Sequence, residues 1–133
     1  MPDCCQRLAN TTKYPKRMLE IYTGMNEIIE THIPDVLSVE RVFFNHNHTS
    51  CLSTAAVMYM CMLAAEQAGI ASHAFTPQQV KMACGCGGSA SKTAVQSFVS
   101  KITGAEINNA HIADSVACAM AGLLRTWARK KPV

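Results

Sequence analysis

The chain has 133 residues, enough for one globular domain with its own core and too few for two domains of ordinary size. Hydrophobic residues make up 49% of it and charged residues 16%, which excludes an intrinsically disordered protein. The formal net charge of +3 permits a polyanionic partner but does not require one.

The first half of the chain is predicted to form two helices with a strand between them. Apolar residues at three- and four-residue spacing predict a helix from Tyr14 to Ile33, stopped by Pro34. A run of β-branched and aromatic residues from Val36 to Phe44 predicts a short strand covered on both faces. An Ala-, Met- and Leu-rich stretch from Thr49 to Ala68 predicts the second helix, with a glycine cap after it.

The second half is predicted to form one strand and three helices, with the glycine-rich loop CGCGGS between the first two helices. Thr76 is suited to cap the short helix, and Gly104 to close the next one. Alternation of strands with helices predicts α/β layers with parallel strands. The expected bounds are Ala71 to Thr76 for the strand, and Pro77 to Ala83, Ser89 to Thr103 and Ala110 to Lys130 for the helices.

No targeting or membrane-spanning segment is expected. The first residues lack the apolar core of a signal peptide, and the longest apolar stretch, around Ala55 to Ala65, is too short to span a bilayer. We therefore expect a cytoplasmic protein with no membrane partner. Its seven cysteines are an odd number without framework spacing, so we expect them to stay reduced and mostly to fill the core.

Glu40 is the sharpest chemical signal, because it interrupts an apolar strand. A buried carboxylate must be paired or hold a cation, since burying it alone would cost several kcal/mol. The commoner explanation is a solvated strand edge, or a pair with Arg41 or a lysine. The residues alone leave both interpretations open.

Two further groups could carry chemistry at the helix starts. His111 and Asp114, in HIAD, share one helix face and are ordinary cation ligands, although Asp114 would also suit the positive helix end behind an asparagine cap. Lys81 and Lys92 flank the glycine loop, where they would suit phosphate contact, although solvated surface lysine is commoner.

A zinc or copper site is not favoured. Cys84 and Cys86 form a Cys-x-Cys pair, whereas structural zinc sites space their cysteines by two to four residues. His46 and His48 form an equally isolated pair. The methionines Met58, Met60 and Met62 are better explained by helix packing.

Four motifs occur together and in order: IYTGMNEIIETHIPDVLSVERVFF, TPQQVK, GSASKTAVQSFVSKI and HIADSVACAM. With them the chain resembles the RuvC family of bacterial Holliday junction resolvases from about residue 13 to 130. The resemblance implies an α/β RNase H-like fold with a mixed sheet flanked by helices, and one resolvase domain over residues 1–133. It also implies a homodimeric, structure-selective endodeoxyribonuclease that cuts four-way junction DNA and works with branch-migration helicase machinery.

The resemblance assigns roles to six positions. Glu40, His111 and Asp114 match catalytic residues that hold Mg²⁺, with two ions expected in an intact site. Lys81 and Lys92 match lysines that contact DNA or assist catalysis. Phe43 matches an aromatic residue that engages bases at the junction centre.

The chain departs from the family pattern at three places, one of which is the glycine loop, with Cys86 where a glycine is usual and Ser91 where an acidic residue is common. The chain also has no G-[IV]-D-P-G segment, whose aspartate is central to the family's metal site, so we expect a truncated start without the first strands. A second hypothesis follows, a homologue that binds junctions but is catalytically impaired. In the helix after Glu40, a family-like G-Q-A-R-G is replaced by residues 55–59, which affects the helix that contributes to the family's dimer interface.

Overall fold

A computed structural model describes residues 14–42 and 48–130. Within these ranges the chain forms five helices and two strands, in the order helix, strand, helix, strand and three helices. The elements are α1 (Tyr14–His32), β1 (Val36–Glu40), α2 (His48–Gln67), β2 (Ala71–Phe75), α3 (Pro77–Ala83), α4 (Lys92–Thr103) and α5 (Ala110–Lys130).

The two strands form a parallel pair, as the alternation of strands and helices predicted. Their register runs from Val36 opposite Ala71 to Glu40 opposite Phe75. The ladder ends with a 2.7 Å bond from the Arg41 N–H to the Phe75 carbonyl. Beyond Phe75 the neighbouring strand β2 ends and helix α3 begins, so among the described residues β1 has no further strand to pair with there. The predicted strand was therefore too long, and its last residues, Phe43 and Phe44, lie outside the described residues.

Helix α1 ends at His32, and Ile33, between the helix and Pro34, has a strained backbone. Ile33 has a φ of 46°, and its N–H donates to the Ile29 carbonyl at 2.9 Å, which continues the helical bonding for one more residue. The left-handed region is unfavourable for a β-branched side chain, because Cβ crowds the following carbonyl. Pro34 then prevents the helix from continuing.

Helices α3 and α4 begin at side-chain caps. The Thr76 hydroxyl accepts from the Gln79 N–H at 3.1 Å, while the Gln79 side chain accepts from the Thr76 N–H at 2.8 Å. This reciprocal capping box starts α3 at the predicted residue. Helix α4 starts at Lys92, later than predicted, because Ser91 is the capping residue and accepts from the Ala94 N–H at 3.2 Å.

The core lies where β2 meets α3, α4 and α5. Small residues on α5 allow that helix to pack closely on the strands, and at Gly122 a side chain would overlap Ser38 of β1. Helices α1 and α2 pack against each other, and the Tyr22 hydroxyl donates to the Gln67 side chain. The core residues are Phe75, Val80, Cys84, Val95, Val99, Ala117, Cys118 and Ala121.

None of the helices in the described ranges combines the length and the apolar character that crossing a membrane would require.

Candidate functional site

Glu40 stands at the C-terminal end of β1. Side chains alternate along a strand, so Glu40 lies on the same face as Ser38, the residue that α5 approaches at Gly122. The residue is exposed, which agrees with a carboxylate at a strand end rather than one enclosed in the middle of a strand. Its position nevertheless directs the carboxylate towards the helix that carries Asp114.

Asp114 lies in the second turn of α5 and is half-buried. The helix begins behind Asn109, whose side-chain oxygen accepts from the N–H groups of His111 at 2.9 Å and Ile112 at 3.3 Å. The predicted asparagine cap is therefore present. His111 lies one turn before Asp114 and is exposed.

Two lysines complete the group from the neighbouring helices. Lys81 is half-buried on α3, and Lys92 is the exposed first residue of α4. The loop between them contains Gly85 and Gly87 at φ values of 67° and 73°, a conformation that residues with a Cβ rarely adopt. This turn allows the two lysines, eleven positions apart, to reach one cavity.

The structure brings both carboxylates and both lysines to one cavity of about 200 Å³. Pro77 and Val80 of α3 and Val95 of α4 add a small apolar wall to the cavity. The sequence alone did not identify these three residues as part of the site. His111 is not among the lining residues, and Phe43 lies outside the described residues. The cavity is lined by Glu40, Pro77, Val80, Lys81, Lys92, Val95 and Asp114.

The charges of the cavity act on Glu40. Although Glu40 as a whole residue is exposed, its carboxyl group is partly withdrawn from solvent, which raises its pKa, and the negative charge of Asp114 raises that pKa further. The positive charge of Lys81 opposes both effects. The carboxylates and the lysine are therefore close enough to respond to one another, and a cation or a proton between them would be favoured.

The described residues contain no large group of metal ligands. Within residues 14–42 and 48–130, no group of three or more His, Cys, Asp or Glu side chains is placed to hold an ion. Cys84 is buried in the core, and the half-buried Cys86 thiol points to the Cys84 carbonyl at 3.3 Å. His46 lies outside the described residues. The expectation that cysteines fill the core is confirmed at Cys84 and Cys118.

A larger groove of about 460 Å³ lies between β1 and α5, but it has no titratable group. Its lining is apolar except for a serine, so it offers neither a metal ligand nor a charge for a phosphate. The smaller cavity is the better candidate site because two carboxylates and two lysines line it. The groove is lined by Val36, Leu37, Ser38, Val116, Ala119, Met120 and Leu123.

Fold and site together define an α/β protein with an acidic and basic cleft at the C-terminal edge of parallel strands. The family model described as "Crossover junction endodeoxyribonuclease RuvC" matches residues 3–122. The chain belongs to the RuvC family. The resemblance stated from the motifs is thereby confirmed.

Known relatives agree in sequence and in fold. A protein of Bifidobacterium adolescentis named crossover junction endodeoxyribonuclease RuvC is 38% identical over 116 residues, which cover 86% of this chain and 60% of the relative. The structure titled "Thermus thermophilus RuvC structure" has a TM-score of 0.80 at 26% identity and covers 92% of this chain and 75% of that one. The chain thus spans about three fifths of the length of the Bifidobacterium relative.

A second solved structure is titled as Thermus thermophilus RuvC in complex with Holliday junction substrate. It has a TM-score of 0.77 at 23% identity and covers 88% of this chain and 72% of that chain. At this identity the likeness shows the fold. The RNase H-like α/β fold expected from the motifs is confirmed by these structures.

Proposed function

We propose that this chain is a RuvC-type endodeoxyribonuclease that binds four-way DNA junctions and hydrolyses phosphodiester bonds in them during recombination and repair. The observation that carries the proposal is the convergence of Glu40, Asp114, Lys81 and Lys92 on one cavity. The family membership supplies the reaction, and the junction bound to the Thermus thermophilus relative supplies the substrate class. Residues 1–133 are proposed to act as one resolvase domain in the cytoplasm.

The donor chemistry of the cavity fits a divalent metal ion. Glu40 and Asp114 provide carboxylate oxygens, the ligands that hard Mg²⁺ prefers. A bound cation would also relieve the repulsion by which Asp114 raises the pKa of Glu40. We propose these two carboxylates, with His111, as the residues that hold Mg²⁺, and two ions for the intact site. Mg²⁺ would supply polarisation of the phosphate and a more acidic bound water.

The lysines have a separate task. Lys81 and Lys92 reach the cavity from two helices, so their ammonium groups can neutralise a phosphate that enters beside the carboxylates. Positive charge at this point also stabilises the extra negative charge that develops as a phosphodiester is attacked. We propose that Phe43 contacts bases at the junction centre, as the family resemblance implies.

One specific observation favours a second candidate function, junction binding with impaired catalysis. Within the described residues, two carboxylates, rather than a larger group of metal ligands, reach the cavity. A two-metal site that lacks a ligand holds its ions weakly. The lysines and the surrounding surface would still bind the DNA backbone.

A cleavage assay separates these functions. The purified chain is incubated with a labelled synthetic four-way junction and with linear duplex of the same sequence, in Mg²⁺ and in EDTA. Metal-dependent cleavage of the junction, lost in Glu40→Gln and Asp114→Asn but kept in Glu106→Gln, supports the nuclease. Glu106 is an exposed carboxylate outside the cavity, so its variant controls for charge.

Binding provides the other outcomes. Preferential binding of the junction without cleavage in either metal condition supports the impaired homologue and contradicts the nuclease. Equal affinity for junction and linear duplex contradicts both functions. A Lys92→Gln variant is expected to weaken junction binding, because it removes one phosphate contact.

We also propose a homodimer, with α2 as its main contact. Leu52, Tyr59 and Leu63 are exposed by 61%, 65% and 53%, and with Ala56 they follow four- and three-residue spacing along one face of the helix. An exposed apolar stripe of this kind suits contact with a second copy. Functional association with branch-migration helicases stays a prediction from the family.

Light scattering after size exclusion tests the dimer. Leu63→Glu is expected to give a monomer, because it places a charge in the stripe. Ile102→Glu, at an exposed apolar position of α4, is the matched control and should leave the mass unchanged. A monomeric wild-type chain, or a Leu63→Glu dimer, would contradict this interface.

A further inference from the structure

The last part of the chain is a basic segment that the cavity does not use. Residues 115–133 contain four Arg or Lys residues and no Asp or Glu, so their charge exceeds the net +3 of the whole chain. Arg125 and Arg129 lie on α5, and both are exposed. A spacing of four residues places them on one helix face.

Arg125 is held in place by an aromatic ring. Its guanidinium carbon lies 5.9 Å from the ring centroid of Phe75, which is a cation–π contact. Within the described residues, neither arginine forms an ion pair with a carboxylate. A positioned but unpaired guanidinium is suited to bind a phosphate, because its planar donors match the phosphate oxygens.

His73 adds a third polar group to this surface. Its ring meets Phe75 edge to face, with centroids 6.3 Å apart, so Phe75 connects it with Arg125. Burial lowers the pKa of the imidazole, and the nearby positive charges of Arg125 and Arg129 lower it further. Both guanidinium groups are therefore close to His73, and no carboxylate of the described residues pairs with either of them.

The surface lies further along α5 than the candidate site. Arg125 and Arg129 follow Asp114 on the same helix by eleven and fifteen residues, so their backbone positions lie roughly 16 and 22 Å along the helix from it. The guanidinium group of Arg125 lies closer to the site than its backbone does, because it contacts Phe75, which pairs opposite Glu40. These spans are within about seven base pairs of B-DNA, at 3.4 Å per base pair. A phosphate in the cleft and phosphates at this surface can thus belong to one duplex arm.

We propose that Arg125, Arg129 and His73 form an arm contact, a second DNA-binding surface that holds the backbone of a duplex arm while another phosphate occupies the cleft. The arm contact rests on the proposed function, because it takes junction DNA as the partner. It carries no base readout, since guanidinium contacts to phosphates are independent of sequence. It adds affinity and sets the direction in which the arm leaves the cleft.

Salt-dependent binding of the full chain to labelled junctions tests the arm contact. The Arg125→Gln/Arg129→Gln variant is expected to reduce the slope of log affinity against log salt by about 1.8, which corresponds to two lost phosphate contacts. Between 50 and 200 mM salt, its affinity should therefore fall about tenfold less than that of the wild type. The matched control, Lys16→Gln/Arg17→Gln, removes two exposed cations from α1 and should keep the wild-type slope.

The matched control separates the arm contact from a general loss of charge. An unchanged slope in the Arg125→Gln/Arg129→Gln variant, or an equal reduction in the Lys16→Gln/Arg17→Gln control, would overturn the proposal. Arg129→Gln alone, which leaves the Phe75 contact intact, should lower the slope by about 0.9 and guards against a folding defect.

Failure of the arm contact can be distinguished from failure of the proposed junction-binding function. Equal binding of junction and linear duplex by the wild type would contradict the junction specificity. The slope difference between variants is measured on long linear duplex as well, so the arm contact is judged independently of that result.

Discussion

Replacing Gly122 with alanine adds a methyl group where α5 lies directly against β1. A Cβ atom there would overlap the Ser38 hydroxyl oxygen and lie 3.2 Å from the Ser38 Cβ atom. Overpacking of this kind costs about 1–3 kcal/mol. Alanine is favoured over glycine in a helix by about 1 kcal/mol. We therefore expect Gly122→Ala to lower the free energy of unfolding by about 1 kcal/mol.

The sign of the effect should reverse when Ser38 is removed. In a Ser38→Gly background both clashing atoms are absent, so only the helix propensity remains and Gly122→Ala should stabilise by up to about 1 kcal/mol. The two residues are then coupled by about 2 kcal/mol, a value that urea unfolding of the four variants measures by circular dichroism. Gly122→Ala effects that agree within about 0.5 kcal/mol in both backgrounds would refute the close approach.

Three further substitutions or reactions have defined outcomes. Because burial and the charge of Asp114 raise the pKa of Glu40, the folded state holds this proton more tightly than the unfolded state, and stability is lost as the pH rises through the raised pKa. Glu40→Gln should therefore unfold at the same urea concentration as the wild type below the ordinary glutamate pKa and at a higher one at pH 7; a destabilised variant at pH 7 contradicts this reasoning. Ile33, exposed by 81%, has an unfavourable positive φ, so Ile33→Gly should raise the unfolding free energy by about 1 kcal/mol in thermal or urea melts. Ile33→Val keeps the β-branch and should gain nothing. Burial, with a smaller effect of Glu40, raises the pKa of the Cys118 thiol to about 11, so iodoacetamide at pH 8 should label it only after unfolding. Peptide mapping that finds Cys118 labelled as fast in the native chain as in urea would contradict its burial.

Local signals predicted the ends of some elements correctly. Helix α3 begins and ends as predicted because Thr76, Pro77 and Gln79 form its start from within one short stretch. Helix α5 also has its predicted bounds. Helix α4 begins three residues late, since Ser89 and Ser91 are equally good caps by type and only the folded loop decides between them.

Other features depend on contacts between segments that are far apart in the sequence. The end of β1 is decided by the length of β2, which periodicity in β1 cannot reveal. The convergence of Glu40 with Asp114 was expected from the family resemblance, and neither residue carries that information in its neighbours. The basic surface at Arg125 could not be predicted from the sequence alone, because it depends on where the fold places Phe75. The absence of Asp and Glu after Asp114 was visible in the sequence.

The groove beside β1 has a practical consequence for handling the protein. Among the described strands β1 pairs with β2 alone, so its other edge presents backbone N–H and C=O groups next to an apolar channel. Such an edge can recruit an extended segment from another molecule, and stabilising salts such as sulfate would strengthen that recruitment. Concentrated samples would then be kept dispersed by a lysine in place of Leu37, because a charge on an edge strand opposes sheet growth between molecules.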